Sequence, residues 1–256
     1  MTLCAHDVAC GHGRREVLRN VDLPLPKGLV TAVLGVNGAG KSTLLRCLGG
    51  LARPLRGRVT LDGRDMAALS RRQIARRVAY VPQSQRPDSL TVFEAVLLGR
   101  RPHMGFGPSR RDLAAVENGL VTLGLEPLAF KRLEDLSGGE LQKTSLARAM
   151  VQEPDVLLLD EPTASLDLKN AEDVRAIVRR AAAAKGLTAV VVLHDLSQAL
   201  RFADVFVLLR HGRVHAVLDR SGLGPEVVRE VYGVDVAFGE VGGHPVVMPL
   251  GVADAA

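Results

Sequence analysis

Apolar runs of strand length alternate with segments of helical composition along most of the chain. Three runs are continuous and apolar, as expected for parallel strands buried on both faces: Val30 to Leu34, Val156 to Leu159 and Ala189 to Leu193. Ser42 to Leu48 follows the first run and Ala171 to Lys185 separates the other two, and both segments have a helical character. Strands that alternate with helices predict an α/β fold with a mainly parallel sheet wrapped by helices.

The N-terminal part has a different pattern. Val17 to Leu25 alternates loosely, and Pro24 and Pro26 favour a strand at the edge of a sheet. Val59 to Leu61 is followed by Asp62-Gly63, which is a strong hairpin signal. We therefore expect an N-terminal antiparallel β subdomain in front of the parallel core.

The middle of the chain is richer in helix formers. Residues from about 84 to 152 read as a helical subdomain inserted into the sheet, with breaks at Pro102, Gly105, Gly107 and Pro108. A last helix is expected over Gly224 to Tyr232, within a C-terminal extension from about 219 to 256. Length and pattern together predict one domain over residues 1–256.

Composition is that of an ordinary globular protein, with 47% hydrophobic and 24% charged residues. The three cysteines, Cys4, Cys10 and Cys47, have no CxxC spacing, which predicts reduced thiols in a cytosolic protein with neither disulfide nor zinc. The N-terminal residues have no apolar signal-peptide region, and no apolar run approaches the length of a membrane span. A membrane role would then require a partner.

The net charge of +5 is modest, and the arginines are scattered apart from one cluster. Arg71, Arg72, Arg76 and Arg77 make up this cluster, for which we expect a solvated helix face. Contact with acidic lipid or nucleic acid is the alternative. Because a nucleic-acid binder usually concentrates its charge in a stripe or block, we expect no nucleic-acid partner.

A glycine-rich segment follows the first buried strand. Gly35-Val-Asn-Gly-Ala-Gly-Lys41-Ser42 fits the pattern G-x-x-x-x-G-K-[ST], with a strand before it and a helix after it. Glycines let backbone N–H groups turn toward an anion, and the helix N-terminus adds its partial positive charge. In such a loop the lysine reaches the β- and γ-phosphates and the serine hydroxyl ligates Mg²⁺.

Polar side chains stand at the ends of the other two buried strands. Asp160 and Glu161 follow Val156 to Leu159, at the edge of the sheet where ligands bind in open α/β folds. Beside a phosphate site, Asp160 would hold Mg²⁺ and Glu161 would polarise the attacking water. His194 ends the next strand and could hydrogen-bond a γ-phosphate oxygen or orient the water.

The segment Leu136-Ser-Gly-Gly-Glu-Leu-Gln-Lys143 narrows the class further. Ser137 and Glu140 form a capping box at a helix start. That function leaves Gly138 and Gly139 unexplained, because each costs a helix about 1 kcal/mol relative to alanine. Bare backbone N–H groups at this helix N-terminus suit a second anion site.

With these residues the sequence resembles the nucleotide-binding subunits of the ABC family, over nearly the whole chain. LSGGE is similar to the family's signature, residues 35–43 to its Walker A, and Val156 to Glu161 to its Walker B with the catalytic glutamate. Gln83 looks like its Q-loop, Ser165-Leu-Asp167 like its D-loop, and His194 like its switch histidine. The resemblance implies the P-loop NTPase fold of an ABC ATPase.

The resemblance also implies cofactors, partners and roles. ATP and Mg²⁺ would bind in a homodimer, where the signature of one subunit closes over ATP held by the P-loop of the other. Glu161, His194 and Gln83 would be catalytic, and Ser42, Gln83 and Asp160 would hold the metal. The nucleotide-binding residues would be Gly35, Asn37, Gly38, Ala39, Gly40, Lys41, Ser42, Thr43, Ser137, Gly138, Gly139, Asp167 and His12.

Two positions depart from the family pattern. Val36 replaces the proline that usually follows the first P-loop glycine. His12 falls where the family usually places an aromatic residue that stacks on adenine, and imidazole offers a smaller π-face. We therefore expect weaker base stacking in this chain.

Two segments resemble the branch that imports iron-siderophores, haem or cobalamin. They are Leu97 to His103 and the tail Val228 to Asp235 with Pro245 to Pro249; a generic helix start and a small β-cap would be the alternative. An importer implies transmembrane permease subunits, an indirect periplasmic or extracellular substrate-binding protein, and a peripheral position on the cytoplasmic face of the cell membrane.

Other ABC ATPases serve no transporter. The translation type carries two such domains per chain, and the DNA-repair type has a long coiled coil; this chain has one domain and no heptad run. An ATPase of iron–sulfur cluster assembly stays open as the alternative function. A P-loop kinase outside the ABC family is disfavoured by LSGGE.

Overall fold

A computed structural model describes residues 3–13, 15–84, 89–164 and 166–253, with the backbone but not the side chains of residues 12 and 185. In chain order, its strands are β1 (Leu3–His12), β2 (Arg15–Leu25), β3 (Val30–Leu34), β4 (Arg56–Leu61), β5 (Arg64–Asp65), β6 (Val78–Val81), β7 (Val156–Asp160), β8 (Thr188–Val192), β9 (Val205–Arg210), β10 (Arg213–Asp219), β11 (Val234–Val241) and β12 (His244–Val252). The α-helices are α1 (Lys41–Leu48), α2 (Arg71–Ala75), α3 (Val92–Leu97), α4 (Arg110–Leu123), α5 (Gly138–Met150), α6 (Leu168–Lys185), α7 (Leu196–Phe202) and α8 (Pro225–Tyr232).

The central sheet has the order β10-β9-β3-β8-β7-β6, and all of its strands are parallel except β10 at one edge. The apolar runs that predicted buried strands form β3, β7 and β8, and every residue in these three strands is buried. The prediction of a mainly parallel α/β sheet is confirmed.

Both faces of this sheet are covered. In β7, Leu157 and Leu159 join one hydrophobic cluster, which reaches the helices α3 to α6, whereas Leu158 joins a second cluster with α1 and the N-terminal strands. Alternate residues of a strand point to opposite faces, so a continuous apolar run is what two-sided burial requires. The edge at which β3, β7 and β8 end is thereby held rigidly.

The N-terminal sheet is antiparallel with the order β2-β1-β4-β5, as predicted. The strand β2, which contains Pro24, lies at its edge. The turn between β4 and β5 places Asp62 at φ 49° and Gly63 at φ 78°, the left-handed pair that a tight hairpin requires. Helix α1 packs its Leu44 and Leu48 in the cluster that this sheet shares with the central sheet.

The stretch predicted to be helical contains α3, α4 and α5, each begun by a capping box. The buried guanidinium of Arg100 ties these helices together: its Nε donates to Asp112 Oδ1 at 2.9 Å and its Nη1 to the carbonyl of Val151 at 2.6 Å. Arg100 belongs to the Leu97 to His103 segment, so this part of the segment organises the packing of α4 and α5.

The arginine cluster is more than the solvated face that the sequence predicted. Arg71, Arg72 and Arg76 are exposed, but Arg72 and Arg76 also donate to the carbonyl of Pro102, at 2.8 and 2.9 Å. Arg77 pairs with Asp155 at 2.6 Å and also contacts Asp62. The hydrogen bonds from Arg72 and Arg76 to a backbone carbonyl of the helical stretch therefore connect α2 to that stretch.

The C-terminal helix α8 is present as predicted and is followed by its C-cap Gly233, which has φ 67°. The tail behind it folds into the antiparallel pair β11 and β12. Within the described ranges, no helix is both long and apolar enough to cross a membrane. The three cysteines are free thiols and all are buried.

Candidate active site

The loop between β3 and α1 is shaped by glycine backbone angles. Gly35, Gly38 and Gly40 have φ of 142°, 79° and 100°, a region that disfavours side chains. A Cβ on Gly35 would lie 2.4 Å from the carbonyl oxygen of Leu209, so this position also needs glycine for space. Gly40 is the N-cap of α1 and provides no side-chain acceptor, which leaves the first N–H groups of the helix available to an anion.

Lys41 is nearly buried inside this loop. Its Nζ donates to the carbonyl oxygens of Gly35, at 2.8 Å, and Val36, at 3.1 Å. Burial lowers the pKa of Lys41, while the carboxylates of Glu161 and Asp160 act in the opposite direction. The loop therefore encloses a cation whose carbonyl contacts phosphate oxygens can replace.

Asp160, at the end of β7, is buried and binds two hydroxyl groups. Ser42 Oγ donates to its Oδ1 at 3.0 Å, and Tyr80 Oη, from β6, donates to its Oδ2 at 3.0 Å. Burial, and then the charge of Asp160, raise the pKa of Tyr80. A carboxylate and a hydroxyl in contact are oxygen donors of the kind that Mg²⁺ prefers, so these side chains fit that ion.

Glu161 follows β7 directly and adopts φ 50°, which is unusual for a residue other than glycine and costs of order 1–3 kcal/mol. Its two carboxylate oxygens face two other predicted residues. Gln83 Nε2 donates to Oε2 at 2.7 Å, and His194 Nε2 contacts Oε1 at 2.5 Å. The structure thus brings together the three residues that were predicted to be catalytic.

A cavity of about 920 Å³ opens over the loop. Residues 36–43, Glu161 and His194 line it, so most of the predicted phosphate-binding residues share one space with two of the predicted catalytic residues. The sequence did not single out the rest of its lining: Arg15, Glu16, Val17, Arg19, His211 and Gly212. Arg15 to Val17 follow His12 closely in the chain. Their proximity to this predicted nucleotide-binding residue is the sequence signal that could have identified them.

Ser137, Gly138 and Gly139 begin α5, where Ser137 Oγ and the backbone N–H of Glu140 complete the predicted capping box. Asp167 caps α6 by accepting the N–H of Asn170 at 2.7 Å. None of these four predicted nucleotide-binding residues lines the cavity over the P-loop. The structure therefore presents two separate surfaces within one chain.

Two predictions fall outside the described part of the chain. The backbone of His12 ends β1, but its side chain is outside the described residues, as is the whole of Ser165. Adenine stacking by His12 and the D-loop serine therefore stay predictions.

Two tyrosines contact the site although neither was predicted as a site residue. Tyr80 binds Asp160, and the hydroxyl oxygen of Tyr232 accepts the backbone N–H of Gly35 at 2.9 Å. Tyr232 ends α8 and is 197 positions from Gly35 in the chain. A local pattern carries no signal for such contacts.

A family model described as ABC transporter matches residues 18–164. An uncharacterised ABC transporter ATP-binding protein of Methanocaldococcus jannaschii is 43% identical, covering 98% of this chain and 99% of that protein. The hemin import ATP-binding protein HmuV of Pseudomonas putida is 44% identical, over 91% of this chain and 92% of its own. The ferric enterobactin transport ATP-binding protein FepC of Escherichia coli is 35% identical, over 97% and 94%.

Solved structures agree with these relatives. An inward-facing transporter of the metal-chelate ABC type has a TM-score of 0.83 at 26% identity, over 99% of this chain and 98% of the other. A dimeric ATP-binding cassette bound to ADP and Pi has a TM-score of 0.77 at 28% identity, over 86% and 100%. The first of these two likenesses extends over nearly the whole chain.

Proposed function

This chain belongs to the ABC transporter family as an ATP-binding, ATP-hydrolysing subunit, and from that premise we propose that it drives an importer of an iron-siderophore, haem or cobalamin. In this proposal two copies close around ATP and reopen after hydrolysis, which moves a separate transmembrane permease. The substrate class is supported by relatives named for hemin import and ferric enterobactin transport. The segments Leu97 to His103 and Val228 to Asp235 carry the same resemblance.

The proposed catalytic role is supported by the side chains that converge on Glu161. Its carboxylate lies beside Gln83 and His194, at the edge of the sheet where Lys41 and α1 form the anion site. One oxygen of Glu161 takes a proton from the attacking water, while the water oxygen bonds to the γ-phosphorus and the bond to the β-phosphate oxygen breaks. The products are ADP and inorganic phosphate.

Lys41 and the backbone N–H groups of residues 37–43 bind and orient the phosphates in this proposal. His194 Nε2 contacts Glu161 Oε1 and holds that carboxylate in position, and the imidazole would hydrogen-bond a γ-phosphate oxygen or orient the water. Ser42, Asp160 and Gln83 would hold Mg²⁺, and the bound ion would offset the negative charge of the β- and γ-phosphate oxygens. Tyr80 fixes the rotamer of Asp160 through its hydroxyl.

Dimerisation is supported by the separation of two anion-binding surfaces within one chain. Ser137, Gly138, Gly139 and Asp167 do not line the cavity over the P-loop, although a second anion site is expected at the start of α5. A second copy can bring its α5 N-terminus to the γ-phosphate of the first, and symmetry then completes two composite sites. ATP stabilises the closed dimer because it binds both surfaces together.

A position on the cytoplasmic face of the cell membrane follows from attachment to a permease. The substrate-binding protein outside the membrane would act on the permease and reach this chain indirectly. His12 is assigned to the adenine side of the site and Ser165 to the D-loop, both on the resemblance alone.

The test uses full-length Glu161→Gln, tagged and purified with MgATP from gently solubilised membranes of the host. We expect ATP hydrolysis to fall at least about 100-fold, because the amide cannot accept the water proton. ATP binding and a stable dimer should persist. Glu117→Gln, an exposed position on α4, is the matched control and should hydrolyse ATP normally.

Mass spectrometry of the co-purified proteins then distinguishes an importer subunit from an ATPase of iron–sulfur cluster assembly. A polytopic permease supports the importer. Capture of soluble iron–sulfur assembly proteins without a permease would refute the importer and leave the ATPase in place. Normal turnover by Glu161→Gln would refute the role of Glu161.

A further inference from the structure

The C-terminal helix reaches the first residue of the P-loop. Tyr232, the last residue of α8, is partly buried, and its Oη accepts the N–H of Gly35 at 2.9 Å. Burial raises the pKa of Tyr232 to about 12, so the phenol stays neutral at physiological pH. A neutral hydroxyl oxygen can accept this bond without placing a charge beside the phosphates.

Gly35 is held from three directions. Tyr232 binds its N–H, Lys41 Nζ donates to its carbonyl at 2.8 Å, and the carbonyl oxygen of Leu209 lies where a Cβ would point. Its φ of 142° is one that residues with a side chain rarely adopt. Loss of the Tyr232 contact would leave a backbone N–H without its acceptor and free the peptide at which the loop turns.

The same extension also contacts the segment that follows His194. The N–H of Val247, in β12, donates to Ser197 Oγ in α7 at 2.9 Å. A cavity of about 470 Å³ lies between these elements, and His194, Tyr232 and Val247 are among its lining residues. The extension therefore contacts both sides of the site, at the P-loop and behind the switch histidine.

We propose that Tyr232 is a positioning residue of the ATP site, through which the described part of the C-terminal extension, residues 219–253, sets the P-loop in its phosphate-binding conformation. This inference rests on the proposed function, because it assigns Tyr232 to the same phosphate site. A loop that is already in the binding conformation loses less conformational freedom when ATP binds. The contact affects the binding of ATP and not the hydrolysis step. Its loss therefore raises KM and leaves kcat nearly unchanged.

The experiment compares full-length wild type, Tyr232→Phe and Glu230→Gln. Phenylalanine keeps the ring and removes only the Oη acceptor. Glu230→Gln alters the same helix by weakening the exposed contact with His215, 2.7 Å long, away from Gly35. MgATP affinity by titration calorimetry, steady-state ATPase kinetics and thermal unfolding are measured for all three proteins.

We expect Tyr232→Phe to weaken MgATP binding and to raise KM by about 5- to 10-fold, with kcat within about twofold of wild type. Glu230→Gln should match wild type in MgATP affinity, KM and kcat. Equal affinity in Tyr232→Phe and wild type overturns the inference. A lower thermal midpoint with unchanged KM also overturns it, because it shows a purely structural contact.

The outcomes separate this inference from the proposed function. If wild type and Glu230→Gln bind and hydrolyse ATP, the result for Tyr232→Phe tests Tyr232 alone. If wild type binds no ATP, both proposals fall. If Tyr232→Phe does not fold, hydrogen exchange of the Gly35 amide in wild type decides: protection supports the contact, and exchange at the rate of an open loop overturns it.

Discussion

Replacing Asp112 by asparagine tests how firmly α4 and α5 are joined. Asp112 accepts Arg100 Nε at 2.9 Å on one oxygen, and the N–H and Oγ of Ser109 at 2.9 and 2.6 Å on the other. These bonds, led by those from Ser109, lower the pKa of Asp112 from 3.8 to about 2. Asparagine loses the charge and turns an NH₂ toward one of these donors.

The expected loss of stability follows from that pKa. A decrease from 3.8 to about 2 corresponds to about 2 kcal/mol of stabilisation at neutral pH. The unmatched NH₂ adds about 1 kcal/mol. We therefore expect Asp112→Asn to lower the free energy of unfolding by about 3 kcal/mol at pH 7. Arg100 keeps Glu153, 3.0 Å away, which limits the loss.

Urea unfolding followed by circular dichroism at pH 7, 5 and 3 measures this difference. Because the folded pKa of Asp112 is lowered, its stabilisation is fully present above about pH 4 and disappears as the pH falls toward 2. The gap between wild type and Asp112→Asn should therefore narrow by about 1 kcal/mol between pH 7 and pH 3, and would approach about 1 kcal/mol only near pH 2. Arg132→Gln, at an exposed pair with Glu134, is the control and should cost less than about 1 kcal/mol.

A gap that stays constant from pH 7 to pH 3 would refute the charge argument and leave only a packing effect. A variant as stable as wild type at pH 7 would show that the Arg100 network does not hold these helices together.

Three other changes test the site and its support. Tyr80→Phe should raise the Mg²⁺ concentration for half-maximal ATPase activity about 5-fold, because Asp160 loses a hydrogen bond 3.0 Å long; an unchanged Mg²⁺ titration would contradict this. Ser137→Arg should fold and bind ATP but lose dimer closure, measured by light scattering, and normal turnover would exclude the composite site. Gly99→Ala places a Cβ 2.1 Å from a backbone carbonyl of α5 and should cost about 2 kcal/mol in thermal unfolding, whereas Gly105→Ala, with open space, should not.

The sheet was predictable because its signal is local. In β3, β7 and β8 each run is apolar at every position, and burial on both faces leaves no alternative pattern. The glycines of the P-loop were predictable for the same reason, since their positive φ is a property of single residues. Asp160 and Glu161 were placed correctly because a strand end fixes where its next residues lie.

The contacts that hold this site together were not predictable. Tyr80 and Asp160 are 80 positions apart, and Tyr232 and Gly35 are 197 apart. Tyr80 fits an ordinary strand and Tyr232 an amphipathic helix, and the resemblance carried by Val228 to Asp235 gives no contact between Tyr232 and the P-loop. Arg72 binds backbone carbonyls, which every residue has, and therefore no complementary side chain identified its partner.

The placement of the tyrosines makes the protein its own optical probe. The chain has two tyrosines and no tryptophan, so its near-ultraviolet emission comes from Tyr80 and Tyr232. One phenol donates to the carboxylate of Asp160 and the other accepts a P-loop N–H. We therefore expect a ligand bound at the P-loop to alter the surroundings of both emitters. Nucleotide binding can therefore be followed by the intrinsic fluorescence of the unlabelled protein, with Tyr80→Phe and Tyr232→Phe assigning the signal to each end of the loop.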